Sequence, residues 1–135
     1  MHDGEISRRE KGNFYEGEVV NYLKKRGYNI IKRNFYSKYG EIDIIAKDEK
    51  NKLITFVEVK AREKSTGMHP FEAVDLNKQK KIILAAEEYM VKNNISDYFV
   101  RFDVVGVILK GRKIEKIEVA QDAFQQDSLQ SYRTF

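Results

Sequence analysis

Apolar residues recur along the chain with two periods, and the switches between them mark out seven elements. From Phe14 to Arg26, Tyr15, Val19, Val20, Tyr22 and Leu23 fall at helical spacing and Gly27 follows as a stop, which predicts a helix. Tyr28 to Tyr36 reads as a strand, with Tyr28, Ile30 and Ile31 apolar and Lys32-Arg33 toward its far end. A turn at Ser37-Lys38-Tyr39-Gly40 leads to a second strand, Glu41 to Lys47. The charged turn Asp48-Glu49-Lys50-Asn51-Lys52 leads to a third, Leu53 to Ala61. β-Branched and apolar residues fill the second and third strands, and the short connections predict an antiparallel meander.

A polar loop from Glu63 to Phe71 holds Gly67 and the only proline, Pro70. A long helix follows from about Asp75 to Asn93, with Asp75 as N-cap and Ile82, Ile83, Ala86, Tyr89 and Met90 as its inward stripe. Tyr98 to Leu109 and Lys113 to Val119 are the last strands, joined at Gly111. A strand that returns after a helix is expected to lie parallel to the strand before it. The predicted order is α-β-β-β-α-β-β, an α/β fold with a central mixed five-stranded sheet flanked by helices. Residues 1–135 are read as one domain. Residues 1–11 and 125–135 are expected to be loosely ordered, with Ala123 and Phe124 as candidates to dock on the core.

The length of 135 residues is enough for a real core, and 41% hydrophobic with 34% charged residues suits a globular protein. There is no membrane-length apolar run, no signal-peptide core after Met1 and no cysteine. Those features predict a cytoplasmic protein without disulfides, thiolate metal sites or a cysteine nucleophile. The two histidines, His2 and His69, lack metal-ligand spacing, and no glycine-rich phosphate loop or nucleophile–histidine pair is present. A net charge of +4 permits a polyanionic partner and equally an ordinary solvated surface.

The informative anomaly is charge inside the apolar strands. Asp43 stands between isoleucines, and Glu58 and Lys60 alternate with Val57, Val59 and Ala61. Alternation puts Glu58 and Lys60 on one face. Burying such groups costs several kcal/mol unless they are paired or hold a metal. Glu16 adds a third carboxylate, on the helix face of Val19, Val20 and Leu23, although a boundary glutamate fits the same place. Carboxylates on adjacent strands repel, and a hard divalent cation resolves that. The candidate metal ligands are therefore Asp43, Glu58 and the backbone carbonyl of Val59. Mg²⁺ is the expected ion and Mn²⁺ the expected substitute. Lys60 is the candidate to orient an attacking water or to neutralise transition-state charge, and phosphodiester hydrolysis uses the whole set.

These residues carry a family resemblance. Asp43 with Glu58-Val59-Lys60 resembles the PD-(D/E)xK nuclease signature, with Glu41-Ile42-Asp43 where Pro-Asp would stand. Further matching features are Gly17-Glu18, Tyr39-Gly40-Glu41-Ile42-Asp43, Phe56 to Arg62, Arg101-Phe102-Asp103-Val104-Val105 and Ala123-Phe124. With these the chain is similar, over roughly residues 12–124, to the YraN-type family of uncharacterised bacterial proteins. The resemblance implies a restriction-endonuclease-like three-layer fold and a metal-dependent DNA endonuclease. Resemblance to Holliday-junction resolvases implies Glu16 as a metal-site carboxylate, branched DNA as a substrate and a homodimer. RecB-type relatives place a glutamine and a tyrosine on the next helix. Gln79 matches the first, and Ile83 stands at the tyrosine place.

Several residues keep two readings. Arg62, Lys78, Lys81 and Tyr39 are candidates to contact nucleic acid, and Lys24-Lys25-Arg26, Lys32-Arg33, Lys38 and Lys80 would extend a phosphate-binding rim. Each also suits ordinary surface. Gln79 serves equally as a polar residue of the helix's first turn. Glu41 shares a strand face with Asp43 and either binds a metal through water or faces solvent. Asp103 is expected to pair with Arg101 and not to join the metal site. The alternative to an enzyme is a non-catalytic nucleic-acid-binding module on the same fold; a third reading makes Glu58–Lys60 an ion pair in an interaction domain.

Overall fold

The computed structural model describes residues 8–125. Helix α1 spans Arg8–Lys25 and is followed by strands β1 (Asn29–Tyr36), β2 (Glu41–Asp48) and β3 (Leu53–Glu63). Two 3-10 turns, Lys64–Thr66 and Pro70–Ala73, lead to helix α2 (Leu76–Lys92). Strands β4 (Phe99–Lys110) and β5 (Lys113–Phe124) follow. The strands form one sheet in the order β1-β2-β3-β4-β5. The first three are an antiparallel meander, β4 runs parallel to β3, and β5 is antiparallel to β4. This is the α/β architecture that the apolar periods predict.

Strand alternation builds a separate core on each face of the sheet. Ile45, Ile54, Phe56 and Phe102 pack with Ile82, Ile83, Ala86 and Tyr89 of α2. On the other face Ile44, Ala46, Val57, Val105 and Val107 receive Val19, Val20 and Leu23 of α1. A helix on each side of the sheet makes three layers. Asp75 caps α2 by accepting the Lys78 N–H at 2.8 Å, as its place in the sequence predicts.

Three boundaries differ from the pattern. Helix α1 begins at Arg8, not Phe14, so residues 8–11 are ordered turns; that stretch is charged and has no apolar stripe to mark it. β5 continues past Val119 to Phe124, through an irregularity in its pairing with β4 and a left-handed Asp122 (φ 53°). Phe124 is buried and stacks on Phe102 with ring centroids 5.2 Å apart, so its docking is part of the strand. The loop after β3 carries the two 3-10 turns, and the second lies against the sheet. A Cβ at Gly106 would sit 2.9 Å from the Pro70 Cβ, so only glycine in β4 permits that approach. The expectation of loose ends at 1–7 and 126–135 lies outside the described residues.

Asp103 is structural. Arg101 grips both of its carboxylate oxygens at 2.8 Å, and Thr55 Oγ1 and the Asp122 N–H donate to it at the same distance. Arg101 also donates to the Tyr28 hydroxyl at 2.7 Å. The network ties β3, β4, β5 and the α1–β1 connection together.

Candidate metal centre

β2 and β3 pair as far as Ile44–Val57, and the ladder then ends. The next residues along are Asp43 and Glu58. Asp43 bridges the opening with its side chain, Oδ2 accepting the Val59 N–H at 2.8 Å. The strand also rotates about its axis here. Ile42 belongs to the core under α2 and Ile44 to the core under α1, although residues two apart in a regular strand share a face.

Both helix layers reach this opening. Glu16 comes from α1 and Glu41 and Asp43 from β2, and carboxylate oxygens of all three lie within 4.8 Å of one another. Glu58 comes from β3, with its side chain 5% exposed and Oε2 buried without a hydrogen-bond partner. Lys78 of α2 places its ammonium 3.7 Å from that oxygen. Asn34 has a left-handed backbone (φ 52°), a conformation asparagine tolerates. With its amide nitrogen assigned toward the carboxylates, Asn34 donates to Glu41 at 2.8 Å and Glu16 at 3.1 Å.

The electrostatics follow from crowding acids in a partly dry place. Burial pushes the Glu58 carboxyl up to about 8, with Asp43 adding to the shift and Lys78 and Lys60 opposing it. Burial likewise pushes Glu16 up to about 7; Asp43 and Glu41 add to this, and Arg33, 3.9 Å away, opposes it. Glu41 is also raised, by burial and by Asp43, against Lys78. Without a cation the cluster therefore retains protons near neutral pH. An all-oxygen set of this kind suits Mg²⁺ or Mn²⁺ better than softer metals. Glu58 Oε2, with no hydrogen bond and only the Lys78 ammonium at 3.7 Å, is available as a ligand atom.

Of the residues singled out in the sequence, Glu16, Asp43 and Glu58 converge, and Lys60 acts on the Glu58 charge from the same strand face. Val59 contributes its N–H to Asp43, and its carbonyl remains the backbone candidate. Lys78 belongs to the carboxylate group itself and not to an outer rim. Gln79 donates its side-chain N–H to the Val74 carbonyl at 3.1 Å, tying down the start of α2. Tyr39 sits in the β1–β2 turn with the Lys38 ammonium 5.2 Å over its ring. Lys81 is exposed on α2, where that turn approaches the helix near Gly40. Arg62 lines a different cavity, between α1 and the ends of β3 and β4. Glu41 joins the cluster with its carboxylate. Asn34 carries no signal in the strand pattern.

A mixed five-stranded sheet between helices, with acidic groups gathered where two central strands part, defines a domain of the three-layer, nuclease-like fold class. The model of the uncharacterised protein family UPF0102 matches residues 15–107, the interval that contains Glu16, Glu41, Asp43, Glu58, Lys60 and Lys78. A UPF0102 protein of Clostridioides difficile is 45% identical over 112 residues, 83% of this chain and 96% of the relative. One from Caldanaerobacter subterraneus is 40% identical over 121 residues, 88% and 98% of the two chains. One from Fusobacterium nucleatum is 44% identical over 103 residues, 76% and 85%. The chain belongs to the UPF0102 family, which is the YraN-type family of the sequence resemblance. Among the described residues no helix is long and apolar enough to cross a membrane.

Proposed function

We propose that this protein is a metal-dependent endonuclease that hydrolyses DNA phosphodiester bonds, with a preference for branched or otherwise non-duplex shapes. The observation that carries the reading is the convergence of Glu16, Glu41 and Asp43 within 4.8 Å, beside a buried Glu58 oxygen that makes no hydrogen bond. Asp43, Glu58, Glu16 and Glu41, with the Val59 carbonyl, would hold Mg²⁺ or Mn²⁺. The ion supplies Lewis acidity at the phosphoryl group and a more acidic bound water. Lys60, on the Glu58 face, would orient an attacking water and offset charge in the transition state. Lys78 would lower the proton affinity of Glu58 and so ease its deprotonation when a metal binds. Lys38 and Lys81 flank the β1–β2 turn as phosphate contacts, which hold the backbone without reading sequence. A homodimer would place two such sites on two strands, and the cytoplasm is the proposed compartment.

The Lys78–Glu58 contact favours one alternative, a non-catalytic DNA-binding module whose acids are neutralised internally. The deciding experiment uses labelled duplex, single-stranded, flap and four-way-junction DNA with Mg²⁺ or Mn²⁺, wild type beside Asp43→Asn. Metal-dependent cutting lost in the variant supports the nuclease. Cutting retained by the variant overturns it, and tight binding without cutting on any substrate supports the module.

A further inference from the structure

We propose that the cavity between α1 and the ends of β3 and β4 holds an unpaired stretch of DNA. The inference rests on the nuclease reading and deepens it: the substrate carries a single-stranded segment. The cavity measures about 690 Å³, within the ordinary range for ligand pockets. Ala61 and Leu109 give it an apolar floor. Phe14 and Tyr15 line one wall, their rings edge to face at 5.6 Å and 70°. Phe14 is 55% exposed, so its ring is available to a partner.

Charge and position select the occupant. Lys11, Arg62 and Arg112 line the cavity, against Glu10 and Glu63. Glu63 already accepts the Gly111 N–H at 3.3 Å, and Arg62 is steadied by donating to the Ala61 carbonyl at 2.9 Å. Aromatic rings beside cations are what a single strand requires: bases stack on the rings and phosphates meet the cations. A duplex offers its base faces to neighbouring base pairs and leaves none for Phe14. The cavity and the carboxylates draw on the same two elements: Tyr15 precedes Glu16 on α1, and Arg62 lies two residues beyond Lys60 on β3.

Fluorescence anisotropy with EDTA present separates binding from cutting. The probes are labelled single-stranded, flap and duplex DNA of one sequence, and a single-stranded RNA of the same sequence. Phe14→Ala and Arg112→Ala change exposed side chains, and circular dichroism melts check that both fold. Each is expected to weaken single-strand and flap binding by about ten-fold while leaving duplex binding unchanged. Photo-crosslinking from 5-iodouracil in the single strand is expected at Phe14 or Tyr15. Unchanged single-strand affinity, an equal loss on duplex, crosslinks confined elsewhere, or binding of the RNA in preference to the DNA would each overturn the assignment. Metal-dependent cutting with no dependence of binding on Phe14 removes the cavity proposal and leaves the nuclease. Phe14-dependent binding with no cutting under any metal removes the nuclease and leaves the single-strand site.

Discussion

The Asp43 carboxylate accepts the backbone N–H of Val59, sixteen residues away, at the place where the β2–β3 ladder has ended. One side chain thus substitutes for a missing strand contact and also joins an acidic cluster with Glu16 and Glu41. Structure and chemistry overlap at this residue, and substitutions can separate them.

Asp43→Ala leaves the Val59 N–H without its acceptor and is expected to destabilise the protein by about 1–3 kcal/mol. Asp43→Asn keeps an oxygen for that N–H and removes the charge. Urea unfolding is expected to place Asn close to wild type and Ala clearly below it, while both variants lose metal-dependent cleavage. Equal stability of the two variants would show that the Val59 contact is incidental.

The metal-free protein should lose stability as pH rises through the neutral range. Glu58 and Glu16 have folded-state pKa values of about 8 and about 7, above the ordinary 4.5. Below 4.5 both groups are protonated whether the chain is folded or not, and their contribution is fully present. Between 4.5 and their folded values only the folded state holds the protons, so rising pH favours unfolding, by at most about 1.4 kcal/mol per pH unit for each group. Above 8 the contribution is gone. Urea midpoints across this range should fall with pH in EDTA, and Glu58→Gln should flatten the slope. A midpoint that rises with pH in wild type, with the slope unchanged in the variant, would contradict the raised proton affinity of Glu58 and Glu16.

Lys78 lowers the proton affinity of both Glu58 and Glu41. Lys78→Met should therefore move the pH midpoint of metal binding upward, because the ligands must shed protons before they bind. Titrations at several pH values measure this. Because the Lys78 side chain is 37% exposed, the accompanying loss of stability should be small.

Asp103 tests the opposite relationship, a buried acid with no place in the chemistry. Asp103→Ala strands the Arg101 guanidinium, the Thr55 hydroxyl and the Asp122 N–H together. A loss of about 3–5 kcal/mol in urea unfolding is expected. Divalent-metal affinity of the folded fraction should not change, and a fall in that affinity would bring Asp103 back to the site.

Much of this arrangement is visible in the linear pattern, because charge within an apolar strand is conspicuous. Asp43 and Glu58 stand out for that reason, and Glu16 for its place on the inward helix face. Glu41 keeps two readings in the sequence because its convergence depends on the rotation of β2 across Asp43. The alternation rule assumes a regular strand and contains no such rotation. Asn34 is hidden for a related reason: its left-handed backbone redirects a side chain that the strand pattern treats as ordinary polar surface. Lys78 looks like one of several surface cations until the crossing of α2 over the sheet brings it to Glu58. The first turns of α1 have no apolar period at all, so residues 8–13 give no helical signal although they help to wall the second cavity.

A nuclease at this site requires a divalent cation at the opening between β2 and β3. Calorimetric titration of Mn²⁺ into wild type and Asp43→Asn at a pH above 8 tests this most directly, because the cluster is then deprotonated. Saturable binding by wild type, much weakened in Asp43→Asn and accompanied in wild type by proton release at lower pH, is the predicted result. No binding by wild type, or undiminished binding by Asp43→Asn, would contradict it.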